Sequence, residues 1–194
     1  TDPIFLGEYP EQGIEVLGNN VPKYTDEEMA TISEPVDFCG LNLYSGFPVQ
    51  ADPDLEWVCQ ERPLGNPLTA FKWSVTPEIM YWGPKFIHER YQKPIYITEN
   101  GMSGHDWVNE EGEVNDPQRI QFLKAYLKEF KKAASEKIPV KGYFLWSLMD
   151  NFEWEQGYEE RFGIIHVDFE TQERRFKDSA KWYSKCISNN GSSL

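Results

Sequence analysis

Ile95-Tyr96-Ile97-Thr98-Glu99-Asn100-Gly101 is the stretch that decides the fold. Its β-branched and aromatic residues predict a buried strand, and the Asn-Gly pair predicts where that strand stops. Successive strand side chains alternate in direction, so Glu99 shares a face with Ile95 and Ile97 at the strand's end. A parallel α/β barrel carries its chemistry at the C-terminal ends of its strands, which makes Glu99 a candidate catalytic acid. A surface glutamate paired with a lysine or arginine would fit the same local pattern.

Further elements flank this strand, which we expect to cover Pro94 to Glu99. Buried strands are also predicted at Val36 to Tyr44 and at Val140 to Ser147. Helices are predicted from Thr76-Pro77-Glu78 toward Tyr91, from Asp116-Pro117 onward, and from Asp178 to about Ser188. Alternating strands and helices favour an α/β fold with a parallel sheet.

Two segments between these elements are expected to be loops. Residues 50–72 contain no predicted helix or strand, and residues 102–115 predict a polar loop after the Glu99 strand. The final helix is expected to bury Trp182, Tyr183, Cys186 and Ile187.

Aromatic and acidic residues interleave after the third strand, in the stretch Phe152-Glu153-Trp154-Glu155. The C–H face of a sugar ring stacks on an indole, while its hydroxyls require fixed acceptors. A single buried tryptophan would be explained as core filling. The alternation of several aromatics with carboxylates favours a carbohydrate site instead.

Several ordered motifs resemble the C-terminal part of family 1 glycoside hydrolases, the β-glucosidase and β-glycosidase group. They are Tyr96-Ile97-Thr98-Glu99-Asn100-Gly101, the run from Gly142 to Trp154, Arg161-Phe162-Gly163-Ile164, the N-terminal Asp2 to Gly7 with Tyr9-Pro10, and Asp37 to Tyr44. The resemblance runs from end to end of the chain.

The resemblance implies that residues 1–194 form the C-terminal part of a single (β/α)8 TIM-barrel domain, with the last three βα units. Such a barrel needs about 250 residues or more, whereas this chain has 194. We therefore expect an incomplete barrel that requires an N-terminal half of the same barrel as its partner.

The resemblance also implies a retaining β-glycosidase that hydrolyses terminal, non-phosphorylated β-D-glucosyl residues by double displacement. It assigns the nucleophile to Glu99, and to Tyr44 the hydroxyl that keeps the nucleophile ionised and aimed. The residues implied to bind or support the sugar are Asn42, Trp73, Trp146, Glu153, Trp154 and Phe162. A non-catalytic carbohydrate-binding or scaffold fragment of that barrel is the alternative.

Within that assignment, individual positions carry further information. In this family the acid/base belongs to a Thr-Xaa-Asn-Glu-Pro motif, which this sequence lacks, so we expect it in the N-terminal half. Relatives that act on 6-phosphosugars lack an acid at the position of Glu153. Ser74 stands where the family usually has an acidic residue after the tryptophan, so the leaving group is not predicted. The Trp146-Ser147 peptide bond is expected to be cis.

Composition limits the remaining possibilities. The net charge of −13 disfavours nucleic acids and anionic membranes as partners. The three histidines share no ligand spacing, so neither a metal nor another cofactor is predicted. Three widely spaced cysteines are expected to be free thiols in a reducing compartment, which predicts a cytoplasmic protein.

Overall fold

The computed structural model describes residues 1–194, except for the side chain of Glu56. The α-helices are α1 Asp2–Leu6, α2 Glu11–Leu17, α3 Asp26–Ile32, α4 Ile79–Tyr91, α5 Pro117–Ser135 and α6 Asp178–Ser188. The strands are β1 Cys39–Asn42, β2 Val49–Asp52, β3 Glu56–Cys59, β4 Ile95–Asn100, β5 Val140–Leu145, β6 Ile165–Val167 and β7 Arg174–Phe176. Short 3-10 helices cover Gly18–Asn20 and Trp154–Gln156.

A parallel sheet in the order β1-β4-β5 organises the molecule. Helix α4 connects β1 to β4 and helix α5 connects β4 to β5, as in successive βα units. One face of β4 places Ile95 and Ile97 against Phe122, Leu123 and Tyr126 of α5 in the main apolar core. The three strands predicted from the sequence are thus confirmed, with β1 and β5 shorter than expected.

The other face of the sheet and both of its edges are less covered by the rest of the chain. In the described part of the chain, β1 and β5 each pair only with β4, so each leaves one backbone edge unpaired. On the face away from α5, Phe38 stacks edge-on against Tyr96, and Phe38 and Phe144 remain exposed. This open aromatic face and the two free edges are surfaces that an additional sheet could cover.

Three local predictions are wrong. Residues 50–72 include most of an antiparallel hairpin of β2 and β3. Helix α4 begins at Ile79, because the Thr76 hydroxyl accepts a hydrogen bond from the Gly46 backbone and does not cap the helix. In α6, Ile187 is 63% exposed.

A buried ion network holds the loops that follow β4 and β5. Lys177 donates to Asp106 and Asp150, at 2.5 and 2.8 Å from its Nζ. Arg119 pairs with Asp106 and Asp116, and Arg161 with Asp150 at 2.6 Å. The network therefore ties the start of α5 and the segment before α6 to both loops.

None of the helices in the described residues is long and apolar enough to cross a membrane.

Candidate functional site

Side chains that follow the parallel strands surround a cleft of about 420 Å³. Tyr44 follows β1, Glu99 lies at the end of β4, and Trp146 follows β5. The full lining is Tyr44, Phe71, Trp73, Glu99, Trp146, Glu153, Trp154, Glu155, Gln156 and Phe162. Every site residue predicted from the sequence except Asn42 lines this cleft.

A short hydrogen bond joins the two central polar groups of the cleft. The Tyr44 hydroxyl donates to Glu99 Oε2 at 2.7 Å. Burial, and then the hydrogen bond and charge of Glu99, raise the pKa of Tyr44. The phenolic proton therefore stays on Tyr44, which acts as a fixed donor to the carboxylate.

Trp146 and Glu153 form a second polar contact, in which the Trp146 indole Nε1 donates to Glu153 Oε2 at 3.3 Å. The Trp146-Ser147 peptide bond is cis, as predicted. Gly101 makes this arrangement possible, because a Cβ at that position would lie 1.7 Å from the Trp146 carbonyl oxygen. The glycine after the Glu99 strand thus allows β4 and the Trp146 backbone to approach closely.

Aromatic rings form one wall of the cleft. The ring of Trp73 lies 4.9 Å from Tyr44 and 4.5 Å from Phe71, measured between centroids. Phe162 is only 2% exposed and closes the wall at 5.9 Å from Phe71. By contrast, Trp154 is 79% exposed at the rim of the cleft. The cleft therefore offers both a fixed aromatic wall and an exposed indole.

Asn42 lies outside the cleft lining, and its role stays a prediction. Its Oδ1 accepts a hydrogen bond from the Thr98 hydroxyl at 2.7 Å. The fully buried amide beside Glu99 belongs to Asn100, which donates to the Leu43 carbonyl at 2.7 Å and accepts from Tyr143 at 2.8 Å. Asn100 therefore clamps β1, β4 and β5 together just behind the carboxylate.

Sequence reasoning missed Phe71 and the Asn100 clamp. Phe71 lies in a segment predicted to be an unstructured loop, although its spacing of two from Trp73 was a signal that both could face one side. Asn100 was interpreted as a strand stop, and its partners are 43 and 57 residues away in the chain. Such distant pairs leave no local pattern.

The chemistry available in the cleft is that of carboxylates among aromatic rings. Glu99 can act as a nucleophile or base, and Glu153 can accept hydrogen bonds from hydroxyls. Among the described residues, no group of three or more His, Cys, Asp or Glu side chains is placed to hold a metal ion. The arrangement suits a neutral polyhydroxylated ligand whose apolar face stacks on indole.

Comparison with known proteins agrees with this geometry. The model of the family described as Glycosyl hydrolase family 1 matches residues 1–192. Beta-glucosidase A of Thermotoga maritima is 47% identical over 98% of this chain and 43% of its own length. A 1,4-beta-D-glucan glucohydrolase of Thermotoga neapolitana is 44% identical over the same two shares.

Solved structures give the same result. The Thermotoga maritima beta-glucosidase in complex with castanospermine matches with a TM-score of 0.89 and 46% identity, over 98% of this chain and 43% of that one. The same enzyme in complex with glucoimidazole matches at 48% identity and the same TM-score. The chain thus spans less than half the length of these relatives.

Proposed function

The chain belongs to glycosyl hydrolase family 1, and on that premise we propose that it carries the nucleophile of a retaining β-glycosidase. The substrates are terminal, non-phosphorylated β-D-glucosides and related oligosaccharides. The relatives named beta-glucosidase and 1,4-beta-D-glucan glucohydrolase support this substrate class.

The hydrogen bond between Tyr44 and Glu99 carries the proposal. A retaining enzyme needs a carboxylate that attacks the anomeric carbon, forms a glycosyl ester and is later released by water. Tyr44 donates to Oε2 at 2.7 Å, which orients the carboxylate and leaves Oε1 free to attack. Its raised pKa keeps that donor protonated at neutral pH.

Other cleft residues position the sugar. Trp146 provides a stacking face, and Glu153 and Trp154 bind hydroxyls at the far end of the ring, where Phe162 closes the site. A carboxylate at Glu153 repels a phosphate group, so phosphorylated sugars are excluded. Trp73 lies toward the leaving group.

The second catalytic carboxyl comes from an N-terminal half of the same barrel. That half docks on this chain, which forms the last three βα units. The free edges of β1 and β5 and the open face with Phe38, Tyr96 and Phe144 are the surfaces that such a half would cover. The chain's 43% share of its relatives' length supports this assembly. The free thiols of Cys39, Cys59 and Cys186 support a reducing compartment such as the cytoplasm.

Hydrolysis of an aryl β-glucoside tests the proposal, first with the chain alone and then with the N-terminal half added. The chain alone should be inactive, and the mixture should release the aryl alcohol. No hydrolysis by the stable mixture would instead support the non-catalytic, carbohydrate-binding alternative. The Glu99→Gln mixture is the matched control, because the amide keeps the shape of the side chain but cannot form the ester.

A further inference from the structure

A second pocket, here called the Trp107 pocket, lies beside the cleft and has a volume of about 420 Å³. Side chains from stretches 68–72, 102–107 and 115–119 form it. The segment Thr69 to Trp73 separates the two sites, since Thr69, Ala70 and Lys72 line the pocket while Phe71 and Trp73 line the cleft. The volume falls within the range of small-molecule sites.

Backbone hydrogen bonds fix the wall between the two sites. The Phe71 backbone donates to the Ser103 hydroxyl at 2.8 Å, and the Trp73 backbone to the Thr69 hydroxyl at 3.2 Å. Thr69 and Ser103 are both buried. The pocket is therefore a formed concavity with a tethered wall.

The charges around the pocket indicate a neutral ligand. Lys72 and Arg119 contribute two positive charges, and Asp106 and Asp116 contribute two negative ones. Arg119 is engaged with both aspartates at the pocket floor. A strongly charged ligand would have no net counter-charge here, so electrostatics favour an uncharged, polar molecule.

The exposed side chains of the pocket indicate a ligand that has hydroxyl groups and an apolar ring face. Trp107 is 71% exposed and borders the pocket with its indole. His105 and Gln118 are also exposed, and within the described residues neither makes a side-chain hydrogen bond. An indole next to uncommitted donors and acceptors suits a pyranose ring.

We propose that the Trp107 pocket is a second carbohydrate-binding site, which takes a neutral mono- or disaccharide unit stacked on Trp107. The pocket is lined by the loop that follows β4, the central strand, and by the start of α5, which packs between α4 and α6. The inference does not depend on the proposed catalytic role, because neither Glu99 nor Glu153 lines this pocket.

Titration of the full chain with cellobiose, followed through ¹⁵N-labelled tryptophan indole signals, tests the proposal. Trp107→Phe assigns the Trp107 signal, and Trp146 reports on the cleft. The Trp107 indole should shift saturably with cellobiose, also in a Glu153→Ala variant whose cleft has lost an acceptor. Glucose 6-phosphate should bind this pocket no more tightly than glucose.

Gln118→Ala provides the decisive comparison. It should weaken the affinity read from Trp107 by about three- to tenfold, through one lost hydrogen bond. Gln121→Ala, on the same helix but outside the pocket, should leave that affinity unchanged. A Trp107 signal that does not respond to cellobiose, equal effects of the two glutamine variants, or tighter binding of glucose 6-phosphate would each overturn the proposal. A Trp107 response without a Trp146 response would support the pocket as a site separate from the cleft, which is complete only with the N-terminal half.

Discussion

Replacing Lys177 with methionine should strongly destabilise the chain. The Lys177 side chain is fully buried and bridges Asp106 and Asp150. Burial, together with repulsion from Arg119, lowers the pKa of Lys177 although both carboxylates favour its charged form. Methionine keeps most of the side-chain volume but removes the positive charge that Asp106 and Asp150 share.

The magnitude follows from these contacts. Removing one partner of a buried ion pair costs about 3–5 kcal/mol. In a chain of this size, each kcal/mol shifts the melting temperature by about 2–4 °C, so Tm should fall by roughly 6–20 °C. The cleft should loosen as well, because Asp150 also accepts hydrogen bonds from Arg161 and from the Gly163 backbone, on either side of Phe162.

Thermal unfolding followed by circular dichroism measures the effect, with Lys181→Met as the matched control. Lys181 pairs with Asp178 at 3.0 Å on the exposed side of α6, and exposed pairs contribute about 0–1 kcal/mol. The control should therefore shift Tm by only a few degrees. Equal shifts for both variants would refute the role assigned to the buried network.

Further predictions concern the cleft. Tyr44→Phe should lower kcat/KM of the completed barrel by roughly 10- to 150-fold, since a hydrogen bond to a charged group contributes about 1.5–3 kcal/mol; an unchanged value would remove Tyr44 from the machinery. Glu153→Ala should weaken binding of both gluco- and galacto-configured substrates by about 1–3 kcal/mol, measured by inhibition constants, and a loss for one epimer alone would limit its contact to the 4-hydroxyl.

The sequence predicted the strands that carry the site because each is a short apolar run bounded by clear stop signals. Glu99 could be singled out because the apolar run and the Asn-Gly stop place it at the end of β4. The prediction that it shares a face with Ile95 and Ile97 is wrong, because the pairing register of β4 shifts after Ile97; Ile95 and Ile97 pack against α5, whereas Glu99 lines the cleft. The hairpin of β2 and β3 was missed, since its four-residue strands have mostly exposed side chains and lack an apolar stripe. Ile187 was wrongly predicted to be buried because it is apolar and follows Cys186, which is buried.

The long-range contacts of the site could not be predicted from local patterns. Tyr44 and Glu99 are 55 positions apart, and their pairing was expected only from the family resemblance. Lys177 stands between Phe176 and Asp178 and resembles a surface lysine, although its partners are 71 and 27 positions away. Burial of a charge depends on the whole fold, so the sequence gives no sign of it.

The assignment of Glu99 as nucleophile is tested most directly in a Glu99→Gly variant of the chain, combined with the N-terminal half. Hydrolysis of an aryl β-glucoside is measured with and without azide. We expect negligible turnover without azide, and with azide the release of the aryl alcohol together with a glucosyl azide of inverted configuration. Near-normal hydrolysis by the variant without azide would contradict the assignment.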